Sequence, residues 1–166
     1  RLGVGCSDPY TATRNGSQGG LGPRWQVNAH TGYFPPGGVA NPGYTSGSTT
    51  PRRLQVLLTD LESATTNTTT RYYGESQYVS PDDSESGNQN NNVSHIRMSV
   101  AGGPSDFTFG FIGSTVRQAP AIMAWQSIDP QVKISEIQAP DDGLYIVGSR
   151  ATQVDVDTWR YEYAVY

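Results

Sequence analysis

After Pro51, apolar residues recur at every second position in several short runs, and this alternation constrains the fold more than any other feature of the sequence. Successive side chains of a β-strand point to opposite faces of a sheet, so an alternating run buries one set and leaves the other toward solvent. The intervening residues, His95 among them, are therefore expected on the polar side. The three clearest runs are Leu54, Val56 and Leu58; Ile96, Met98 and Val100; and Phe107, Phe109 and Phe111.

Five further stretches have the composition of strands, and turn residues separate them. They are residues 71–79, 121–125, 132–137, 144–147 and 158–166. Helical spacing with caps is nearly absent, and the one candidate helix, Asp60 to Thr66, is short and rich in Thr, which has low helix propensity. Because no crossover helices are predicted, the sequence indicates an all-β fold, an antiparallel, jelly-roll-like β-sandwich over residues 52–166.

The closing stretch TWRYEYAVY reads as a strand with two different faces. Arg160 and Glu162 occupy one face. A row of aromatic residues is typical both of a carbohydrate-binding platform and of a sandwich core. Because a valine continues the row, we interpret this face as part of the core. The residues on it are Trp159, Tyr161, Tyr163 and Val165.

Residues 1–51 form a segment of different character, which holds 11 of the 19 glycines. Glycine and proline interrupt regular structure, so no long helix or strand is expected there. A disordered tail would be poor in aromatic residues. The spaced apolar side chains instead favour an extended, irregular arm packed on its own or a neighbouring subunit. These side chains are Tyr10, Leu21, Trp25, Val27, Tyr33, Phe34, Val39 and Tyr44.

Two Pro-Asp-Asp triplets, at Pro81–Asp83 and Pro140–Asp142, are expected to form turns. Proline presets the first corner, and aspartate bonds back to the backbone. The first triplet also opens a loop whose Asp82, Asp83 and Glu85 could supply oxygen ligands to calcium. The loop lacks the spacing of an EF-hand, so a solvated polar loop is the favoured reading and no cofactor is expected.

Catalytic motifs are missing from the sequence, and we do not expect an enzyme. His30 and His95 stand outside any zinc-ligand frame. A nucleophilic pair of Cys6 with a histidine would place the thiol in a glycine-rich stretch, where geometry is hard to hold. No nucleophile elbow, dinucleotide turn or phosphate loop occurs.

Charge and hydropathy narrow the range of partners. The net charge is -4, and no basic patch suited to a phosphate backbone is found, so nucleic acid is not an expected partner. No apolar run reaches the length of a membrane span. The surface composition of Ser, Thr, Asn, Gln and Gly correlates with secreted or cell-surface proteins. Three Asn-x-Ser/Thr acceptor patterns add candidate glycosylation sites at Asn15, Asn67 and Asn92.

Several stretches resemble an uncharacterised family of secreted bacterial β-rich proteins. They are GCSDPY at residues 5–10, NGSQ and LGPR within 15–24, GNQNNN at 87–92, PAI and AW within 120–125, and the closing WRYEYAVY at 159–166. The resemblance implies a secreted protein whose chain continues past Tyr166. It implies no activity.

These observations favour a structural role over a catalytic one. An arm with aromatic anchors, the apolar run Leu144–Val147 and an unshielded last strand indicate a subunit that polymerises with copies of itself into an extracellular filament or surface assembly. The alternative is a carbohydrate-binding module or accessory domain of a larger secreted enzyme, with glycans as partners. The predicted assembly residues are Tyr10, Trp25, Tyr33, Phe34, Tyr44, Tyr145 and Tyr166.

Overall fold

The structure, a computed structural model, describes residues 26–34, 56–66, 69–104 and 106–166. Residues 28–33 belong to the same compact unit as the strands. Most of the arm lies outside the described residues, including Tyr10, Trp25 and Tyr44, and so do Cys6, Asn15 and Asn67. What the sequence predicts for those residues stays a prediction.

Three helices and six strands follow one another along the described part of the chain. They are α1 (Leu58–Thr66), β1 (Tyr72–Gln77), α2 (Pro81–Glu85), β2 (Val93–Gly103), β3 (Asp106–Arg117), α3 (Ile122–Ile128), β4 (Lys133–Ala139), β5 (Gly143–Asp155) and β6 (Thr158–Val165). The strands form two antiparallel three-stranded sheets. The fold is therefore mainly β, as the alternation predicted, and of its three described helices only the one at Asp60 to Thr66 was a candidate from the sequence.

The first sheet has the strand order β1-β2-β3. In register, Met98 of β2 lies opposite Phe111, and Val100 lies opposite Phe109. These residues therefore share one face of the sheet. A bulge separates His95 from Arg97 on β2, and Gly113 on β3 has a positive φ of 75° at the same place. Phe107–Ile112 thus forms the regular part of β3.

The second sheet has the strand order β4-β5-β6. The turn at Pro140–Asp142 joins β4 to β5, which confirms the second Pro-Asp-Asp prediction. Gly143 follows the turn with a φ of 149°, a conformation that glycine allows. Beyond β6, Tyr166 and Ile146 exchange backbone hydrogen bonds of 2.9 and 3.0 Å, so the pairing of β5 with the closing stretch extends to Tyr166.

Helix α3 covers one face of the second sheet, where the sequence had predicted a strand over residues 121–125. That prediction is wrong. A short apolar run does not distinguish a buried strand from a buried helix, and Ala and Met favour the helix. A Cβ atom at Gly148 would lie only 3.0 Å from Cε3 of Trp125, so the ring packs directly on the β5 backbone. The buried side chains around this contact are Ala124, Val132 and Ile146.

A second prediction also fails, because Leu58 begins helix α1 instead of ending an alternating strand. Val56 and Leu57 precede the helix without regular structure. Leu61 of α1 is buried, and the helix lies against β2. The Tyr72 hydroxyl donates a hydrogen bond to the carbonyl of Asp60 and ties the helix to β1. The candidate at Asp60 to Thr66 is therefore helical, since tertiary contacts outweigh its low propensity.

The first Pro-Asp-Asp triplet forms helix α2 and not the predicted turn. Pro81 occupies the first turn of the helix, where its missing N–H leaves no bond unmade. The Ser84 N–H donates to the carbonyl of Ser80 at 3.1 Å. The second triplet is followed directly by Gly143, whereas the first is followed by Ser84 and Glu85, which allow the helix to continue.

The loop of residues 28–33 is held against α2. Asn28 Oδ1 accepts hydrogen bonds of 3.0 Å from the N–H groups of His30 and Thr31. Ser84 Oγ donates a 2.6 Å hydrogen bond to the His30 carbonyl. Gly32, with a φ of 72°, approaches Ser80 so closely that a Cβ atom would lie 2.2 Å from the Ser80 carbonyl oxygen. This part of the arm region therefore packs on its own chain.

His95 is buried, contrary to its predicted place on the polar side of β2. Its Nδ1–H donates a 2.8 Å hydrogen bond to the Ala119 carbonyl, and its ring meets the Tyr73 ring edge-on at 5.8 Å between centroids. Val93 shares this buried side. Beyond the bulge, Ile96, Met98 and Val100 are less exposed than Arg97 and Ser99, so alternation assigned the faces correctly there and failed only at His95.

Candidate interaction surfaces

The second sheet carries an exposed aromatic face on the side away from α3. Cross-strand pairs place Tyr161 beside Ala151, Tyr163 beside Ser149 and Val165 beside Val147. The exposed fractions are 51% for Trp159, 61% for Tyr161 and 68% for both Tyr163 and Val165. These residues were predicted to be core, and the structure contradicts that prediction: α3 packs on the opposite face, which holds Gly148 and Ile146.

We define the aromatic face by the side chains that β4, β5 and β6 direct to this side. Along β4 and β6, and from Tyr145 to Gln153 of β5, Lys133 is the one charged residue on it. The opposite face carries Glu136, Arg150, Arg160 and Glu162. Besides Lys133, the members of the aromatic face are Ser135, Ile137, Ala139, Tyr145, Val147, Ser149, Ala151, Gln153, Trp159, Tyr161, Tyr163 and Val165.

Arg150 organises the polar part of the covered face. Its guanidinium contacts the carboxylate of Asp129, just after α3, and the hydroxyl of Thr152. Nη1 lies 3.5 Å from Glu162 Oε2 on β6. Because Arg150 is partly buried, these contacts fix the end of α3 to two strands at once. Arg150 and Glu162 are thus paired within the protein.

Strand β3 is the second exposed feature. It is an edge strand of 12 residues, and every position on it except the half-buried Phe107 is exposed. Ten consecutive residues, Phe107–Val116, carry no charge and no proline. Natural edge strands usually carry charged residues or proline, which prevent pairing with another strand. The other described edges do carry charges: Glu75 on β1, Lys133 and Glu136 on β4, and Arg160 and Glu162 on β6.

Four of the predicted assembly residues lie in the described part of the chain. Tyr33 and Phe34 are exposed, and Tyr145 is exposed on the aromatic face. Tyr166 is half-buried, and its backbone pairs with Ile146. Alternation predicted a buried face for Phe109 and Phe111, and that prediction is wrong because both side chains are exposed on an uncovered strand.

The calcium candidates lie on α2, where Asp82, Asp83 and Glu85 are not arranged around a common point. Among the described residues, no group of three or more His, Cys, Asp or Glu side chains could hold a metal ion. The carbonyl of Asp82 accepts hydrogen bonds from the N–H and the hydroxyl of Ser86. This loop is therefore organised by its own hydrogen bonds.

The glycosylation candidate Asn92 is half-buried at the start of β2. Its Oδ1 accepts a 3.2 Å hydrogen bond from Gln77 Nε2, and its carbonyl accepts one from the Tyr78 N–H. A glycan would be attached to Nδ2, which leaves Oδ1 as the acceptor of the hydrogen bond from Gln77. Asn15 and Asn67 fall outside the described residues.

Comparisons of this chain with protein-family models, with curated proteins and with solved structures found no match. The resemblance to a family of secreted bacterial proteins therefore stays a prediction from the sequence. Within the described ranges, no helix is long and apolar enough to cross a membrane.

Proposed function

We propose that the protein is a non-enzymatic structural subunit of an extracellular bacterial filament or surface assembly, and that copies polymerise through edge-strand contacts and the N-terminal arm. The observation that carries the proposal is the uncharged, exposed edge of β3. An edge strand presents a row of backbone N–H and carbonyl groups to which another strand can pair. Flanking charges at Asp106 and Arg117 confine the pairing segment to the residues between them.

The sandwich architecture predicted from the sequence forms part of this proposal. A β-sandwich buries the inner face of each sheet, with the sheets about 10 Å apart. The apolar residues that would line such a core, Phe109 and Phe111 on β3 and Tyr161 and Tyr163 on β6, are exposed. In the proposed assembly, a neighbouring subunit completes the second layer.

The test is to place charge on β3 without changing the rest of the chain. The double variant Phe109→Lys/Phe111→Lys should remain folded, because both side chains are exposed, and should lose polymerisation because charges on an edge oppose strand pairing. Electron microscopy and sedimentation velocity would compare it with the native chain. The matched control, Val56→Lys/Leu57→Lys, adds the same charge at exposed positions outside the strands and should still polymerise. Equal filaments from both variants would refute the edge contact.

The second candidate function is carbohydrate binding, and the exposed row Trp159, Tyr161 and Tyr163 favours it. Aromatic rings with a polar neighbour suit the apolar faces of sugars. This role predicts binding to a glycan array that is abolished in Trp159→Ala while far-ultraviolet circular dichroism is unchanged. An array without any bound glycan would eliminate this candidate.

A further inference from the structure

We infer that the aromatic face is the site at which two copies of this chain pair, related by a two-fold axis, with the second sheets packed face to face. The inference rests on the proposed function, since it supplies the assembly with a second contact besides β3. The aromatic face of one copy is therefore covered by the aromatic face of the other.

The shape of the aromatic face is self-complementary. The large side chains Tyr161 and Tyr163 stand on the edge strand β6, and their cross-strand partners on β5 are the small residues Ala151 and Ser149. A ridge of rings therefore runs beside a shallow groove on the same surface. A two-fold contact requires a ridge and a groove on the same surface, because each copy must offer both the inserting and the receiving part. Rotation by the two-fold places Tyr161 of one copy over Ala151 of the other.

The exposed aromatic area is a substantial part of the area that pairing requires. At about 150–250 Å² for a whole aromatic side chain, the exposed fractions of Trp159, Tyr161 and Tyr163 amount to roughly 270–450 Å². Ile137, Tyr145 and Val165 are also exposed on this face and enlarge it. A stable interface buries about 800 Å² on each partner, and monomers rarely expose apolar patches above a few hundred. The three rings thus supply up to about half of one partner's share, and the other exposed residues of the face add to it.

The charge pattern favours a protein partner of the same kind. Interface centres are depleted in charged residues and enriched in Tyr and Trp. Lys133 is the one charge among the residues of the aromatic face, and it lies on the edge strand β4, where it pairs with Ser149. Because the central residues are uncharged, an identical face approaches without like-charge repulsion. Alternating pairing through the aromatic face and through β3 would build an open filament from two different contacts.

The test uses the full chain in the Phe109→Lys/Phe111→Lys background, which isolates the aromatic face from the β3 contact. Analytical ultracentrifugation should find a dimer. Tyr161→Thr/Tyr163→Thr should raise the dimer Kd by more than about tenfold, because aromatic residues near an interface centre carry much of its energy. Ala151→Glu should have the same effect by placing a charge in the groove. Arg160→Thr, on the opposite face of β6, should leave the Kd unchanged.

A background variant that stays monomeric at all concentrations would overturn the inference. Two measurements on that monomer would identify the true occupant. Protection of Tyr161 and Tyr163 from nitration would show that the chain covers the face itself, and oligosaccharide binding abolished by the tyrosine substitutions would show a glycan. Dimers without filaments from the native chain would refute the proposed function alone. Filaments that are indifferent to all face variants would refute the pairing alone.

Discussion

The ionisation of Tyr145 depends on the neighbouring side chain of Asp142. The Tyr145 hydroxyl donates a 2.5 Å hydrogen bond to Asp142 Oδ2 in the turn that precedes β5. The hydrogen bond to Asp142 and, after it, the negative charge of that carboxylate raise the pKa of Tyr145 above its ordinary value of 10.0. Because Tyr145 is exposed on the aromatic face, its ionisation would bring a negative charge onto that surface.

Asp142→Asn should lower the pKa of Tyr145 toward its ordinary value, because the amide removes the charge that opposes ionisation. A raised pKa in the folded state stabilises the fold below the unfolded-state pKa of about 10, and this contribution disappears as the pH rises through the folded-state pKa. Nuclear magnetic resonance titration of labelled tyrosine rings measures the shift. Tyr145→Phe assigns the resonance, and superimposable titration curves for the native chain and Asp142→Asn would contradict the prediction.

At the scale of elements, the second sheet has one covered and one uncovered face, and a tryptophan lies on each face. Trp125 of α3 packs on Gly148 of β5, whereas Trp159 of β6 is exposed on the aromatic face. Helix α3 has seven residues, too few to be stable alone, so this packing is what stabilises it. The first sheet differs, because α1 lies against β2 and leaves β3 uncovered.

Trp125→Ala should destabilise the protein by about 2–4 kcal/mol, since the loss of a large packed ring leaves a cavity over β5. The matched substitution Trp159→Ala should cost less than about 1 kcal/mol in the monomer, because surface substitutions rarely cost more. Urea unfolding followed by circular dichroism measures both. Equal costs would show that the two faces of the sheet are equally packed, contrary to the structure.

At the scale of the whole molecule, the N-terminal region has at least two parts. Residues 28–33 pack on α2 of their own chain through Ser84 and Gly32. The aromatic anchors Tyr10 and Trp25 lie in the part that the structure does not describe. In the proposed assembly, that earlier part binds a neighbouring subunit.

Deletion of residues 1–25 should therefore preserve the two sheets and abolish polymerisation. The deletion retains the contact of residues 28–33 with α2. Circular dichroism would check the fold, and electron microscopy would check the assembly. In the full-length chain, Tyr10→Ser/Trp25→Ser should reproduce the effect by removing the anchors alone. Filaments from the shortened chain at the native rate would exclude the arm from assembly.

The sequence alone determined the antiparallel strands, most of their positions and the turn before Gly143, because period-two alternation and turn chemistry are local properties of the chain. It did not determine which face of a strand is buried, as His95 and Tyr161 show, since that depends on what packs above it. It also did not distinguish a helix from a strand at residues 122–125, where an apolar run fits both. Only the tertiary structure decided these points. By placing Trp125 over Gly148, it covers one face of the second sheet and leaves the aromatic face free for a partner.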